Sequence, residues 1–81
     1  MDKQRIYEKL KRAAANIRFE EICGYAVDFG FTYKGGKGSH RIFVKEDVRE
    51  RLNFQNVKGM AKPYQVRQFI KMIENYNLLE D

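Results

Sequence analysis

The sequence predicts a small α+β domain in which a three-stranded antiparallel sheet packs against two helices, with a further helical segment at the N-terminus. Two observations lead to this fold class. Apolar residues recur with helical spacing towards each end of the chain, and three short alternating segments lie between them, separated by turn-forming residues. The 81 residues suffice for one domain with a modest core.

The first helical segment is predicted at residues 3–14. Its apolar stripe is thin and consists of Ile6, Leu10 and an alanine, with lysine and arginine at the other positions. Because so thin a stripe buries little surface, we expect residues 1–15 to form a loosely attached extension of a domain at 16–81.

A second helix is predicted after Asn16, which suits the N-cap position. The buried face of this helix is expected to consist of Phe19, Ile22, Cys23, Ala26 and Val27. Gly30 suits its C-terminal cap. A last helix is predicted from Pro63, whose missing N–H is harmless in a first turn, and Asn77 is expected to end it. Its apolar stripe is formed by Val66, Phe69, Ile70 and Ile73.

Three strands are predicted between these helices, at 31–34, 40–45 and 51–55. A glycine-rich turn separates the first two, and residues 56–62 are expected to form a loop. Successive residues of a strand point to opposite faces. In the second strand His40, Ile42 and Val44 therefore point one way, and Arg41, Phe43 and Lys45 point the other. The two helices are expected to cover one face of the sheet and to leave the other free for a ligand or partner.

The composition favours a polyanionic partner. The formal net charge is +5 and the isoelectric point is near 9.5, so we expect binding to nucleic acid or to an acidic protein surface. The single cysteine, Cys23, cannot form an internal disulfide, which fits a cytoplasmic protein, and its position in a helical stripe indicates a core residue. One cysteine and one histidine are too few for a structural zinc site, so no metal or other cofactor is implied. No apolar run approaches the ~20 residues of a membrane span.

The most informative segment is Gly35-Gly36-Lys37-Gly38-Ser39-His40-Arg41, which contains the only histidine of the chain. Histidine changes charge near neutral pH, so His40, at the entry of a basic strand, is suited to move a proton beside a bound phosphate. The candidate phosphate-binding residues are Lys34, Lys37, Ser39, Arg41 and Lys45, with Lys37 and Arg41 preferred. The glycine-rich turn is able to present backbone N–H groups to the same phosphate.

A structural interpretation of this segment stays open beside the functional one. His40 is then a strand-entry residue bonded to the turn, and the glycines only supply the positive φ angles that a hairpin needs. The lysines and arginine are then part of a solvated face. Tyr33, Phe43 and Phe54 are candidates for stacking on nucleobases, although Phe54 is better placed as a core residue.

Four short segments give the chain a resemblance to a known family. They are Gly30-Phe31 after the second helix, Gly38-Ser39-His40 entering the second strand, Ile42-Phe43 following it, and Lys62-Pro63-Tyr64-Gln65-Val66 opening the last helix. With these residues the chain resembles, from about 19 to 78, the HicA toxins. These are small mRNA interferases of bacterial and archaeal toxin–antitoxin pairs.

The resemblance implies a fold like that of double-stranded-RNA-binding domains, α-β-β-β-α. It implies a metal-independent endoribonuclease that cleaves mRNA and arrests growth, with His40 as its catalytic residue. It also implies a HicB-like antitoxin as a protein partner that covers His40, besides RNA as substrate. The sequence does not give the oligomeric state, for which a monomer is the working expectation.

The chain departs from the family pattern in two places. The extension at 1–15 is absent from compact members, and Leu52-Asn53-Phe54-Gln55-Asn56 stands where many members have a stretch with a second histidine. Chemistry that uses two histidines is therefore excluded, and the second proton carrier stays open between Tyr33, a lysine and the substrate itself.

Two other functions remain alternatives at this point. A non-catalytic RNA-binding module would use the same basic surface, and its binding would weaken with salt. A protein-interaction module would be basic only in order to meet an acidic partner. The composition alone does not separate these two alternatives.

Overall fold

The computed structural model describes residues 1–80. These residues form three α-helices and four strands. The helices are α1 (Lys3–Arg12), α2 (Phe19–Asp28) and α3 (Pro63–Asn75). The strands are β1 (Thr32–Gly35), β2 (His40–Val44), β3 (Leu52–Val57) and β4 (Met60–Ala61). Short 3₁₀ turns follow α1 and α3, at Ala14–Asn16 and Leu78–Glu80.

The four strands form one antiparallel meander in the order β1-β2-β3-β4, so the expected α+β class with an antiparallel sheet is confirmed. The register between β2 and β3 pairs Phe43 with Leu52 and Arg41 with Phe54. Partners in such a register lie on the same face of the sheet. The face that holds Phe43, Leu52 and Phe54 is the buried one.

The expectation of three strands and of a loop at 56–62 was wrong, because β3 turns back on itself into β4. Val57 pairs with Met60 across a two-residue turn. Lys58 and Gly59 both have positive φ, 52° and 87°, as the tightest β-hairpin turns require. The side-chain oxygen of Asn56 accepts the Gly59 N–H at 2.7 Å. The sequence signal for this turn is the dipeptide Lys58-Gly59, which predicts a hairpin less strongly than Asn-Gly does.

The start of α2 also differs from the expectation. Its N-cap is Arg18 and not Asn16, which lies in the preceding 3₁₀ turn. The first turn is completed by two contacts. The Glu21 carboxylate accepts the Arg18 N–H at 3.2 Å, and the Gly59 carbonyl of the β3–β4 hairpin accepts the Phe19 N–H at 2.9 Å. The hairpin that the sequence did not reveal therefore fixes where α2 begins.

The buried face of α2 is rotated relative to the predicted one. Val27 is 57% exposed, whereas Tyr25 is buried, with Lys9 of α1 lying over its ring. Cys23 is buried in the core as predicted. Gly30 follows the helix end with φ 92°, which confirms its predicted capping role.

The core is centred on Phe54, which is completely buried and confirms its assignment as a core residue. Its ring lies 5.9 Å from the ring of Phe43 in the neighbouring strand and 5.9 Å from that of Phe69 in α3. Phe69 in turn contacts Phe29 and Phe31 edge to face, at 5.5 and 6.0 Å. Such aromatic contacts add to the stabilisation from area burial alone.

Helix α1 is docked on the helical layer, so the expectation of loose attachment was wrong. Ile6 and Leu10 are both completely buried within the single hydrophobic cluster. The Tyr7 hydroxyl donates a hydrogen bond to Glu74 of α3, and Lys9 forms an ion pair with Glu21 of α2. A thin stripe is enough here because both of its apolar residues are completely buried and polar contacts connect the helix to α2 and α3.

We expect Leu10→Ala to lower the free energy of unfolding by about 2–5 kcal/mol, because it removes a fully buried side chain and leaves a cavity. Urea denaturation followed by circular dichroism measures the change. Arg5→Ala is the matched control on an exposed position of the same helix, with an expected effect within about 0.5 kcal/mol. An equal effect of the two substitutions would show that α1 is not docked.

Because of Glu21, the free energy of unfolding is expected to change with pH in the acid range. Partial burial raises the pKa of this carboxyl, but hydrogen bonds from Lys9 and Tyr25 outweigh it, so the pKa lies below its ordinary value. A lowered carboxyl pKa stabilises the fold above the unfolded-state pKa of about 4.3 and loses this effect as the pH falls. We expect Glu21→Gln to destabilise the protein at pH 7 and to differ much less from wild type at pH 3. Urea midpoints at both values, with Glu46→Gln as an exposed control, provide the measurement.

Candidate functional site

His40 lies on the face of the sheet opposite the helices. Because Phe43 and Phe54 point into the core, the residues that alternate with them point away from it. The register places His40 across from Gln55, and Ile42 across from Asn53, on this outer face. The outer face of the sheet includes side chains that are all at least partly exposed: Thr32, His40, Ile42, Val44, Asn53, Gln55 and Val57.

The backbone around His40 is fixed on both sides. The His40 N–H donates to the Lys37 carbonyl at 3.1 Å and closes the β1–β2 turn. The Ser39 carbonyl accepts the Asn56 N–H at 2.8 Å and extends the pairing with β3. His40 is thus the first residue of β2 and is held by the turn before it and by the neighbouring strand.

The imidazole of His40 is held by one side chain, Asn53. Nδ1 of His40 lies 3.0 Å from Oδ1 of Asn53, which stands diagonally across the strand pair. An amide oxygen only accepts hydrogen bonds, so this contact selects the tautomer that carries its proton on Nδ1. In the neutral ring the lone pair is then on Nε2, which no described residue contacts by a hydrogen bond. The arrangement therefore presents a basic nitrogen on the outer face of the sheet.

The predicted turn at 35–38 is present, and its glycines are required by its shape. Gly35, Gly36 and Gly38 all have positive φ, and the β1–β2 register shifts at Gly35. Gly36 is the tightest position, because a Cβ there would lie 2.3 Å from the His40 carbonyl oxygen. The glycine-rich turn therefore allows the backbone approach that places His40.

The basic residues predicted to surround His40 are only partly brought together. Lys37 and Ser39 are exposed and belong to the same turn as His40, and Lys34 is exposed at the end of β1. Lys45 lies beyond the other end of β2, with its ammonium group near Gly30. The length of β2 separates it from His40.

Arg41 is the clearest difference from the sequence-based interpretation. Adjacent residues of a strand point to opposite faces, so Arg41 lies on the helical side of the sheet while His40 lies on the outer side. Its guanidinium is 3.0 Å from a Glu20 carboxylate oxygen and stacks 4.9 Å above the Phe19 ring. The sheet thus separates the Arg41 side chain from the imidazole.

Asn53 is the residue that sequence reasoning missed. In the sequence it lies in the segment 52–56, where it stands out only as part of a stretch without a second histidine. The alternation of Leu52 and Phe54 as apolar residues already indicated that Asn53 points away from the core. Its pairing with His40 needed the register between β2 and β3, which the sequence does not provide.

Comparisons with known proteins do not assign the chain to a family. No protein-family model, no curated protein and no solved structure matches it. Within residues 1–80 no group of three or more histidine, cysteine, aspartate or glutamate side chains is placed to hold a metal ion. No helix in the same range is long and apolar enough to cross a membrane.

The contact with Asn53 is expected to fix the tautomer of His40. Because the chain has one histidine, its imidazole nitrogens give one set of NMR signals. In wild type we expect the neutral ring to carry its proton on Nδ1, and in Asn53→Ala we expect a mixture of both tautomers. The ¹⁵N shifts of the ring, measured at a pH at which the spectrum shows the neutral form, report the difference.

Gln55→Ala is the matched control for this experiment, since Gln55 is the direct cross-strand neighbour of His40 and donates no side-chain bond to it. It should leave the tautomer unchanged. Identical spectra for wild type and Asn53→Ala would contradict the proposed orientation of the ring.

Proposed function

We propose that this protein is an mRNA-cleaving toxin of the HicA type, a metal-independent endoribonuclease in which His40 transfers a proton. The observation that carries the proposal is the contact between His40 and Asn53. It supports an imidazole with fixed orientation and a free basic nitrogen on an open face of the sheet.

The fold and charge are consistent with this proposal. From α2 onwards the element order is helix, strands, helix, which is the order expected of a fold like double-stranded-RNA-binding domains, with β4 as an added strand. The net charge of +5 favours a polyanionic substrate. The family resemblance through Gly38-Ser39-His40 adds the reaction type. The protein would act in the cytoplasm, where mRNA is its substrate.

The proposed reaction is attack of the ribose 2′-hydroxyl on the adjacent phosphate. Nε2 of His40 takes the hydroxyl proton, the 2′-oxygen bonds to phosphorus, and the 5′-oxygen of the next nucleotide leaves. Lys37 and the N–H groups of the glycine-rich turn are the nearest candidates to offset the charge that develops on the phosphate. The leaving oxygen takes a proton from a donor other than a second histidine, so we expect slow cleavage.

The outer face is also the proposed site for a neutralising antitoxin. Ile42 and Val44 are partly exposed on the same face as His40, and Val57 is 42% exposed at the end of β3. Exposed apolar side chains on one face suit a protein partner, because the buried centre of a protein interface is apolar. An acidic protein of the HicB type that covered this face would block His40 and match the positive charge of the chain.

Cleavage in the presence of EDTA tests the role of His40. We expect wild type to cut a mixed-sequence RNA and His40→Ala to cut it about 10²- to 10⁴-fold more slowly, which is the usual contribution of a positioned acid–base group. The products should carry 2′,3′-cyclic phosphate and 5′-hydroxyl ends. Circular dichroism checks that both proteins are folded, and Gln55→Ala controls for a general disturbance of the outer face.

Other results would replace the proposal with one of its alternatives. If folded wild type and His40→Ala bind RNA equally and neither cleaves it, the protein is a non-catalytic RNA-binding module. If neither binds RNA at physiological salt, the basic surface serves a protein partner. Cleavage that persists in folded His40→Ala would remove His40 from the mechanism.

A further inference from the structure

We infer that Tyr33, Arg41 and Phe43 form a stacking site for one unpaired nucleobase, so that the RNA bound by this protein is single-stranded where it meets the sheet. This inference rests on the proposed function for the identity of the polymer. It concerns the helical side of β1 and β2, across the sheet from His40. These three residues line an open cavity of about 260 Å³.

Tyr33 is exposed where an aromatic ring is normally buried. It is 54% exposed, although its partner in the register, Phe43, is only 3% exposed. The two ring centroids are 5.7 Å apart with an angle of 55° between the planes. Phe43 therefore supports one edge of the tyrosine ring and leaves the rest open. An aromatic ring that packs against the protein on one side and is exposed on the other is able to stack on a planar ligand.

Arg41 forms the third wall of this cavity and is held in place. The Glu20 carboxylate and the Phe19 ring fix the guanidinium from the side of α2. Glu20 offsets only part of the Arg41 charge, because its carboxylate is exposed and surface ion pairs are weak. The planar surface and remaining N–H groups of the guanidinium are suited to a neutral base, which presents ring faces and acceptor atoms. The planar guanidinium beside the exposed ring of Tyr33 therefore favours a base at this position.

The size and the position of the cavity agree with this ligand. A cavity of roughly 150 Å³ is enough to hold a benzene ring, so 260 Å³ of open volume accommodates a nucleobase. Strand β1 is one of the two edge strands of the described sheet. A single strand of RNA is thus able to pass around this edge, with its phosphate near the turn on one side and a base at Tyr33 on the other.

The test measures affinity for 2′-O-methyl RNA, which has no free 2′-hydroxyl and stays intact during the measurement. We expect Tyr33→Ala to weaken binding of a ten-nucleotide single strand by roughly 5- to 100-fold, the usual effect of losing one base–aromatic stack. Tyr33→Phe should bind like wild type, because the ring is kept. A blunt duplex of the same sequence should bind wild type and Tyr33→Ala equally, since its bases are not available to stack.

Two controls separate stacking from a general loss of binding. Tyr64, in the first turn of α3, is 53% exposed and is the matched tyrosine, so Tyr64→Ala should leave the affinity unchanged. Stacking contributes no ion release. Tyr33→Ala should therefore keep the salt slope of wild type, whereas Lys37→Ala should reduce it by about one.

The outcomes distinguish this inference from the proposed function. If Tyr33→Ala binds the single strand within two-fold of wild type, or weakens strand and duplex equally, or matches Tyr64→Ala, the stacking site is refuted even when His40-dependent cleavage is observed. If binding depends on Tyr33 but the protein does not cleave RNA, the stacking site stands and the nuclease is refuted. Absence of RNA binding by wild type refutes both.

Discussion

The packing of Phe54 between Phe43 and Phe69 is the contact on which the arrangement of the site depends. It decides which face of β3 belongs to the core and, through the register with β2, which face of β2 does. Once Phe54 points inwards, Asn53 must point outwards, where it meets His40. A shift of the register by one residue would bury the imidazole against α3 and expose the aromatic core. The orientation of one polar pair is thus set by apolar contacts on the other side of the sheet.

The same alternation gives the two faces of β2 different chemistry. The outer face carries an imidazole whose one nitrogen is bonded and whose other nitrogen is free for exchange with solvent or substrate. The helical face carries a guanidinium that an acidic residue and an aromatic ring already engage. His40 and Arg41 are neighbours in sequence, but they act in separate environments. A basic cluster in a sequence therefore does not amount to a basic cluster in space when it lies within a strand.

Much of the fold could be predicted because it follows from periodicity, and the rest depends on contacts between distant residues. The helix positions, the glycine-rich turn and the burial of Phe54 follow from spacing and turn chemistry. Strand β4 escaped prediction because two residues carry no periodic signal. The docking of α1 was underestimated because Ile6 and Leu10 form a thin stripe, whose burial depends on the groove that receives it. The Asn53–His40 pair required the register, which local sequence does not contain.

The contact between the Phe19 N–H and the Gly59 carbonyl has a consequence for the order of folding. The helix that begins at Phe19 obtains part of its N-terminal hydrogen bonding from a hairpin forty residues further along the chain. Contacts of such large sequence separation form only after the intervening loop entropy has been overcome. During synthesis, α2 and the β1–β2 hairpin leave the ribosome before the segment that completes the helix start. The hydrogen bonding at the start of α2 is therefore complete only once the β3–β4 turn has been synthesised.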